Sequence, residues 1–143
     1  MKFLLMDGPN LNLLGQREPD VYGTTTLEQI EQLVISYAKE LGIGVDCFQS
    51  NHEGALIDEI QASRGVYSGI VYNPGAHTHY SYAIRDAIAS VDVPVVEVHI
   101  SDIDSREEFR RHSVLADVCI AQVKGLGTDG YLRAVDLLKE HLS

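Results

Sequence analysis

SGIVYNPGAHTHYSYAIRDAIASVDVPVVEVHIS, Ser68 to Ser101, is the stretch that decides the fold. SGIVYN (Ser68–Asn73) is a short apolar run, as a strand buried on both faces should be. THYSYAIRDAIASV (Thr78–Val91) reads as a helix. VPVVEVHIS (Val93–Ser101) reads as a further apolar strand, with Pro94 at its start. A strand, a crossover helix and another strand form a right-handed unit whose strands are parallel.

The same alternation extends in both directions. KFLLMD (Lys2–Asp7) reads as a buried first strand. TTTLEQIEQLVISYAKELG (Thr24–Gly42) follows as a helix, with Leu27, Ile30, Leu33, Val34, Tyr37 and Leu41 at helical spacing. Thr25 and Glu28 stand at capping-box spacing, and Gly42 marks the end. IGVDCFQ (Ile43–Gln49) and ALIDEIQASRG (Ala55–Gly65) read as the second strand and helix. Beyond Ser101, SREEFRRHS (Ser105–Ser113) reads as a short fourth helix, DVCIAQV (Asp117–Val123) as a fifth strand, and DGYLRAVDLLKEHL (Asp129–Leu142) as the closing helix. The expected fold is α/β: a flavodoxin-like three-layer sandwich with a five-stranded parallel sheet ordered 2-1-3-4-5.

The chain has 143 residues, which fits a single domain, 1–143. Eleven basic and 21 acidic residues give a net charge of -10. That balance argues against nucleic acid and against an anionic membrane as partners. A small anion remains accessible if the few Arg and His gather in one pocket. Cys47 and Cys119 each lie in an apolar run and are expected as core thiols, not as a disulfide framework or a zinc site. Asp7 ends the first apolar run too early for a signal peptide, and no run reaches transmembrane length, so a cytoplasmic protein is expected.

Parallel sheets of this kind bind ligands beyond the carboxyl ends of their strands. Three polar clusters fall there. GPNLNLLGQREPDVYG (Gly8–Gly23) leaves strand 1, NPGAHTH (Asn73–His79) leaves strand 3, and His99 and Ser101 end strand 4. Gly8 and Pro9 force a sharp exit that places Asn10 at the rim. GQREPDVYG, bracketed by Gly15 and Gly23, suits a mobile lid carrying Arg17 and Tyr22. A phenol titrates near ~10, and an adjacent guanidinium favours its ionised form, so Arg17 and Tyr22 make a credible base. Glu97, His99 and Ser101 alternate along strand 4 and share one face, so Glu97 can fix the tautomer of His99. Backbone N–H groups around Ile100 and Ser101, with the Ser101 hydroxyl, can hold a carboxylate. His79, Ala83 and Asp86 share a face at helical spacing, as do Arg106 and Arg110. Glu107 and Glu108 are available to pair with those arginines.

These motifs lead to a resemblance. GPNLNLLGQREPDVYG, QSNHEG, NPGAHTHYSYAIRDA, EVHISDIDSREEFRRHS and GLGTDGY occur in the order found in the type II 3-dehydroquinate dehydratase family (3-dehydroquinases), and the chain resembles that family over essentially its whole length. The resemblance implies a lyase without cofactor or metal. Its reaction is the anti elimination of water from 3-dehydroquinate, giving 3-dehydroshikimate through an enolate. It implies Tyr22 as the base, Arg17 as the group that lowers its pKa, and Asn10 as the holder of an enolate-stabilising water. It further implies His99 as the acid, oriented by Glu97. Ile100 and Ser101 match the carboxylate site, and Asn73, His79, Asp86 and Arg110 match further substrate contacts. Arg106 lies in the same motif but is not expected to touch substrate. The family habit implies a homododecamer, a tetramer of trimers, acting in the shikimate pathway or in quinate breakdown. Tyr80, Tyr82, His77, Asp102 and Asp104 depart from commoner residues of the family, outside the positions assigned to chemistry.

Two other readings share the fold. A phosphate-accepting receiver needs an Asp at the end of strand 3, where this chain has Asn73. A flavin-binding carrier needs a Ser/Thr/Gly phosphate cradle after strand 1, which GPNLN is not. GLGTDG (Gly125–Gly130) matches GxGxxG, but no later strand or acidic residue follows at dinucleotide spacing. It is expected to serve close packing and helix entry.

Overall fold

A computed structural model describes every residue except Arg17, Pro19, Val21 and Tyr22. Five strands, β1 (Lys2–Asp7), β2 (Gly44–Gln49), β3 (Gly69–Asn73), β4 (Val95–His99) and β5 (Ala121–Lys124), form one sheet ordered β2-β1-β3-β4-β5. Every neighbouring pair is parallel. Among the described residues, four helices cover it: α1 (Leu27–Glu40), α2 (Glu53–Ala62), α3 (Tyr82–Ala89) and α4 (Asp129–Leu142). The α/β sandwich read from the alternation is the one formed.

Strand periodicity sorts the core into two layers. Phe3, Leu5, Val71, Val96 and Val98 pack under α1 and α4. Leu4, Met6, Ile70, Tyr72 and Val95 pack under α2 and α3. β1, β3 and β4 are buried on both faces, apart from Lys2 at the start of β1. The edge strands β2 and β5 are mostly half-buried, and so are Cys47 and Cys119, which border the core instead of filling it. None of the described helices is long and apolar enough to cross a membrane.

Local chemistry shifts several expected boundaries. The capping box of α1 is Thr26 with Gln29, one residue beyond Thr25 and Glu28. Thr26 Oγ1 accepts from the Gln29 N–H at 3.2 Å, and Gln29 Oε1 accepts from the Thr26 N–H at 2.9 Å. α3 starts only at Tyr82, because Ser81 caps it by accepting from the Ile84 N–H at 3.1 Å. Gly75–His79 forms a separate 3₁₀ turn before it. His79 therefore does not lie on the α3 face that carries Ala83 and Asp86. The helix expected over Ser105–Ser113 is replaced by 3₁₀ turns at Ile103–Ser105 and Glu108–Arg110. The segment has no apolar face to bury, since Phe109 is 58% exposed. A short helix without tertiary packing does not hold. Arg106 and Arg110 consequently share no helix face.

The loops at the carboxyl ends of the strands are fastened to one another. Gly8 N–H donates to the Asn73 carbonyl at 2.8 Å. A Cβ at Gly8 would sit 2.6 Å from the Pro74 carbonyl oxygen, so only glycine allows the β1 and β3 exits to pass this closely. Gly125 and Gly127 donate to the carbonyls of Ser101 and Ile100, each at 3.1 Å, from left-handed backbone. Gly130 packs against Val123 and Val98 at the entry of α4. GLGTDG thus serves packing and helix entry, as expected.

Candidate active site

The exits of β1, β3 and β4 enclose a cleft of about 620 Å³, its open mouth included. Asn10 forms one side. Its backbone lies in the left-handed region at φ 69°, which Asn tolerates better than most residues. Its N–H donates to Asn51 Oδ1 at 2.9 Å, and Gln49 Nε2 donates to the Gly8 carbonyl at 3.1 Å. The end of β2 therefore braces the GPN turn.

Asn73, at the end of β3, lines the floor and is 3% exposed. Its Oδ1 accepts from the Gly75 N–H at 3.1 Å, and its Nδ2 donates to the Tyr131 hydroxyl at 2.9 Å. His79 lines the cleft from the 3₁₀ turn that follows. Its Nδ1 faces the His112 carbonyl at 2.8 Å, a contact that requires a proton on Nδ1 and leaves Nε2 as acceptor. Burial pushes its pKa down, only partly offset by the His112 carbonyl, so the ring is neutral at pH 7.

His99 and Glu97 form the most constrained pair. Two residues apart on β4, they face the same way, with His99 Nε2 2.5 Å from Glu97 Oε2. Glu97 is fully buried behind His99, which opens into the cleft. Thr78 donates to Glu97 Oε2 at 2.5 Å, and Ser113 donates to both carboxylate oxygens at 2.9 and 3.0 Å. Gln122 Nε2 on β5 adds a longer contact at 3.3 Å. Burial pushes the Glu97 carboxyl up, but the hydrogen bonds from His99, Thr78 and Ser113, with the charge of His99, outweigh it. The group is held below the usual carboxylate range. An ionised Glu97 accepting from Nε2 fixes the His99 tautomer and leaves Nδ1 for chemistry.

The far wall carries Ile100, Ser101, Arg106 and Arg110. Arg106 Nη1 is 3.5 Å from Ser101 Oγ. Arg110 pairs with Glu107 at 3.3 Å and lies over the Phe109 ring at 4.7 Å. Asp102 caps the Ile103–Ser105 turn by accepting from the Asp104 N–H at 3.0 Å, and Asp104 pairs with Lys124 of β5. These two side chains thus hold the wall in place.

The cleft gathers seven of the residues singled out in the sequence: Asn10, Asn73, His79, His99, Ile100, Ser101 and Arg110. Glu97 stands behind them. Asp86 does not line the cleft; it is exposed on α3, and its carbonyl accepts from the Ser90 hydroxyl at 2.6 Å. Arg17 and Tyr22 lie outside the described residues. Arg106, not expected to touch substrate, also lines the cleft. Thr78 and Ser113 had no local signal, because their role depends on a carboxylate 19 and 16 residues away in the chain.

Comparisons agree with this geometry. The family described as Dehydroquinase class II matches residues 1–139. The 3-dehydroquinate dehydratase of Bacillus cytotoxicus is 59% identical over 141 residues, 99% of this chain and 97% of the relative. That of Anoxybacillus flavithermus is 56% identical over 135 residues, 94% of this chain and 91% of the relative. The crystal structure of the type II dehydroquinase from Butyrivibrio crossotus superposes with a TM-score of 0.95 at 52% identity, covering 97% of each chain. With the parallel sheet in order β2-β1-β3-β4-β5 and the His99–Glu97 pair at its carboxyl edge, the chain belongs to the class II dehydroquinase family.

Proposed function

We propose that this chain dehydrates 3-dehydroquinate to 3-dehydroshikimate by anti elimination through an enolate, without cofactor or metal. The observation that carries the reading is His99, backed by the buried Glu97 carboxylate and opening into a cleft walled by Asn10, Ser101, Arg106 and Arg110. Elimination needs a base for the proton beside the ketone, an acid for the departing hydroxyl, and donors for the charge that develops on the ketone oxygen. Tyr22, assisted by Arg17, serves as the base. His99 serves as the acid, and Glu97 balances the charge it carries when it holds a second proton. Asn10 holds the water that donates to the enolate oxygen.

The substrate is a small hydroxylated carboxylate. The backbone N–H groups of Ile100 and Ser101 and the Ser101 hydroxyl bind its carboxylate. Asn73, His79 and Arg110 bind its ring substituents, and Arg106 adds positive charge to the same wall. Asp86 lies off the cleft of its own protomer, so a substrate contact by Asp86 has to come from a neighbouring copy. That placement favours an assembly, a homododecamer built from trimers, and the protein is proposed to act in the cytoplasm.

Incubation with 3-dehydroquinate and no added cofactor should raise the ultraviolet absorbance of the conjugated enone. Folded protein that produces no rise overturns the reading. Tyr22→Phe should bind substrate yet lose turnover by about 10²-fold or more; near-normal turnover reassigns the base.

A further inference from the structure

Beneath the cleft lies a second buried polar group that the proposed reaction does not use. Asp7 ends β1, Asn73 ends β3, and the two are register partners in the sheet. Tyr131 reaches up between them from α4 and is fully buried. Its hydroxyl donates to Asp7 Oδ1 at 2.8 Å and accepts from Asn73 Nδ2 at 2.9 Å. Asp7 Oδ2 is buried with no hydrogen-bond partner among the described residues.

We propose that Asp7 is a positioning residue for the cleft: acting through Tyr131, its carboxyl sets which way the Asn73 amide faces the ligand. The proposal rests on the dehydratase reading for its kinetic part only.

The reasoning is one of donor counting. A phenol has one proton. A carboxylate can only accept, so it claims that proton and turns the phenol oxygen into an acceptor toward Asn73. Asn73 must then present Nδ2 to Tyr131 and Oδ1 to the Gly75 N–H, as observed. One amide hydrogen and one Oδ1 lone pair remain for a ligand. Without the carboxyl the phenol could donate to either neighbour, and both amide orientations would compete. Gly75 belongs to the same cleft wall, so a turned amide would also release that loop.

Ionisation of Asp7 strengthens the chain, because hydrogen bonds to a charged acceptor are the stronger kind. Burial pushes this carboxyl up to about 7, against the pull of the Tyr131 hydrogen bond and with added repulsion from Glu31. The groups in electrostatic reach are Tyr131 on α4, Glu31 on α1, Cys47 on β2 and Tyr72 on β3. Burial raises the pKa of each of these, so Tyr131, Tyr72 and Cys47 keep their protons at neutral pH. The Asp7 carboxyl changes charge near neutrality.

The experiment has two readouts. Difference infrared spectra of the substrate-free protein should show the carbonyl band of a buried carboxylic acid growing as pH falls through about 7. The band should be missing in Asp7→Asn. Steady-state kinetics should show KM about fivefold higher in Asp7→Asn, with a smaller fall in kcat. The wild-type decrease of KM with rising pH near neutrality should disappear in that variant. Tyr131→Phe keeps the carboxyl but cuts the chain, so its infrared band should persist while the KM dependence vanishes; it carries the test if Asp7→Asn does not fold. A KM profile in both variants that superimposes on wild type overturns the proposal, as does a wild-type spectrum with no titrating acid band. A wild type that makes no enone while the band titrates removes the functional reading and leaves the buried titration standing.

Discussion

At the residue scale, Glu97 shows why a buried charge has to be over-supplied with donors. A lone carboxylate in that position would be neutralised by protonation. Here His99, Thr78 and Ser113 all donate to it at 3.0 Å or less, and the ionised form wins. A Gln at this position would turn an NH₂ group toward hydroxyls and an imidazole N–H that also need to donate. Glu97→Gln should therefore lower kcat by about 10²-fold, since tautomer control and charge balance are lost together. Steady-state turnover of the folded variant checks this, and a loss below about threefold would remove Glu97 from the role. The pairing of Glu97 with His99 was legible, because period-2 alternation puts residues i and i+2 on one strand face whatever surrounds them. Thr78 and Ser113 were not, because each reaches Glu97 only through the arrangement of the 3₁₀ turn after β3, β4 itself and the loop between β4 and β5.

At the scale of elements, the cleft is shaped by loops that touch backbone to backbone. Gly8 passes the Pro74 carbonyl too closely for any side chain, and Gly75 lies 3.1 Å, measured from an ideal Cβ, from the Pro9 carbonyl oxygen. Gly8→Ala should therefore push the β1 and β3 exits apart, costing about 1–3 kcal/mol, with Asn10 and Asn73 displaced relative to one another. Denaturant melting together with KM measures both effects; unchanged values for both would mean that the loops yield freely. The elements that departed from expectation are those whose local pattern lacked tertiary support. Ser105–Ser113 has helical charge spacing but no apolar stripe, and Asp102 caps a tight turn in its place. The helix expected from Thr78 starts only at Tyr82, because Ser81 serves as its N-cap.

At the scale of the whole molecule, the buried titratable groups make opposing contributions to stability. Asp7 has a folded pKa raised to about 7, so the folded state holds its proton more tightly than the unfolded chain does. Its contribution is present below the unfolded carboxylate value and is lost as pH rises through about 7. Glu97 is depressed, so its contribution is present above the unfolded value and is lost as pH falls through the folded one. Burial lowers His77 and His79, which also weakens the fold as acid is added. The Asp7 contribution is isolated by difference. Between about pH 4 and pH 8 the stability of Asp7→Asn relative to wild type should rise by ~3 kcal/mol. Urea midpoints across that range measure it, and a constant difference would show that Asp7 does not titrate in the folded protein.

The sequence by itself determined the parallel sheet and the rim at the carboxyl ends of its strands. Those features follow from apolar periodicity and from the handedness of crossovers, which neighbouring residues encode. It also determined the Glu97–His99 pair, for the same reason of short-range geometry. Only the tertiary structure decided that Asp86 stands off the cleft, that Arg106 lines it, and that Asp7, Tyr131 and Asn73 are one hydrogen-bonded unit. Asp7 and Tyr131 are 124 positions apart, and Asn73 and Tyr131 are 58 apart. Such partners meet only after burial has removed water as the alternative, and burial belongs to the assembled core.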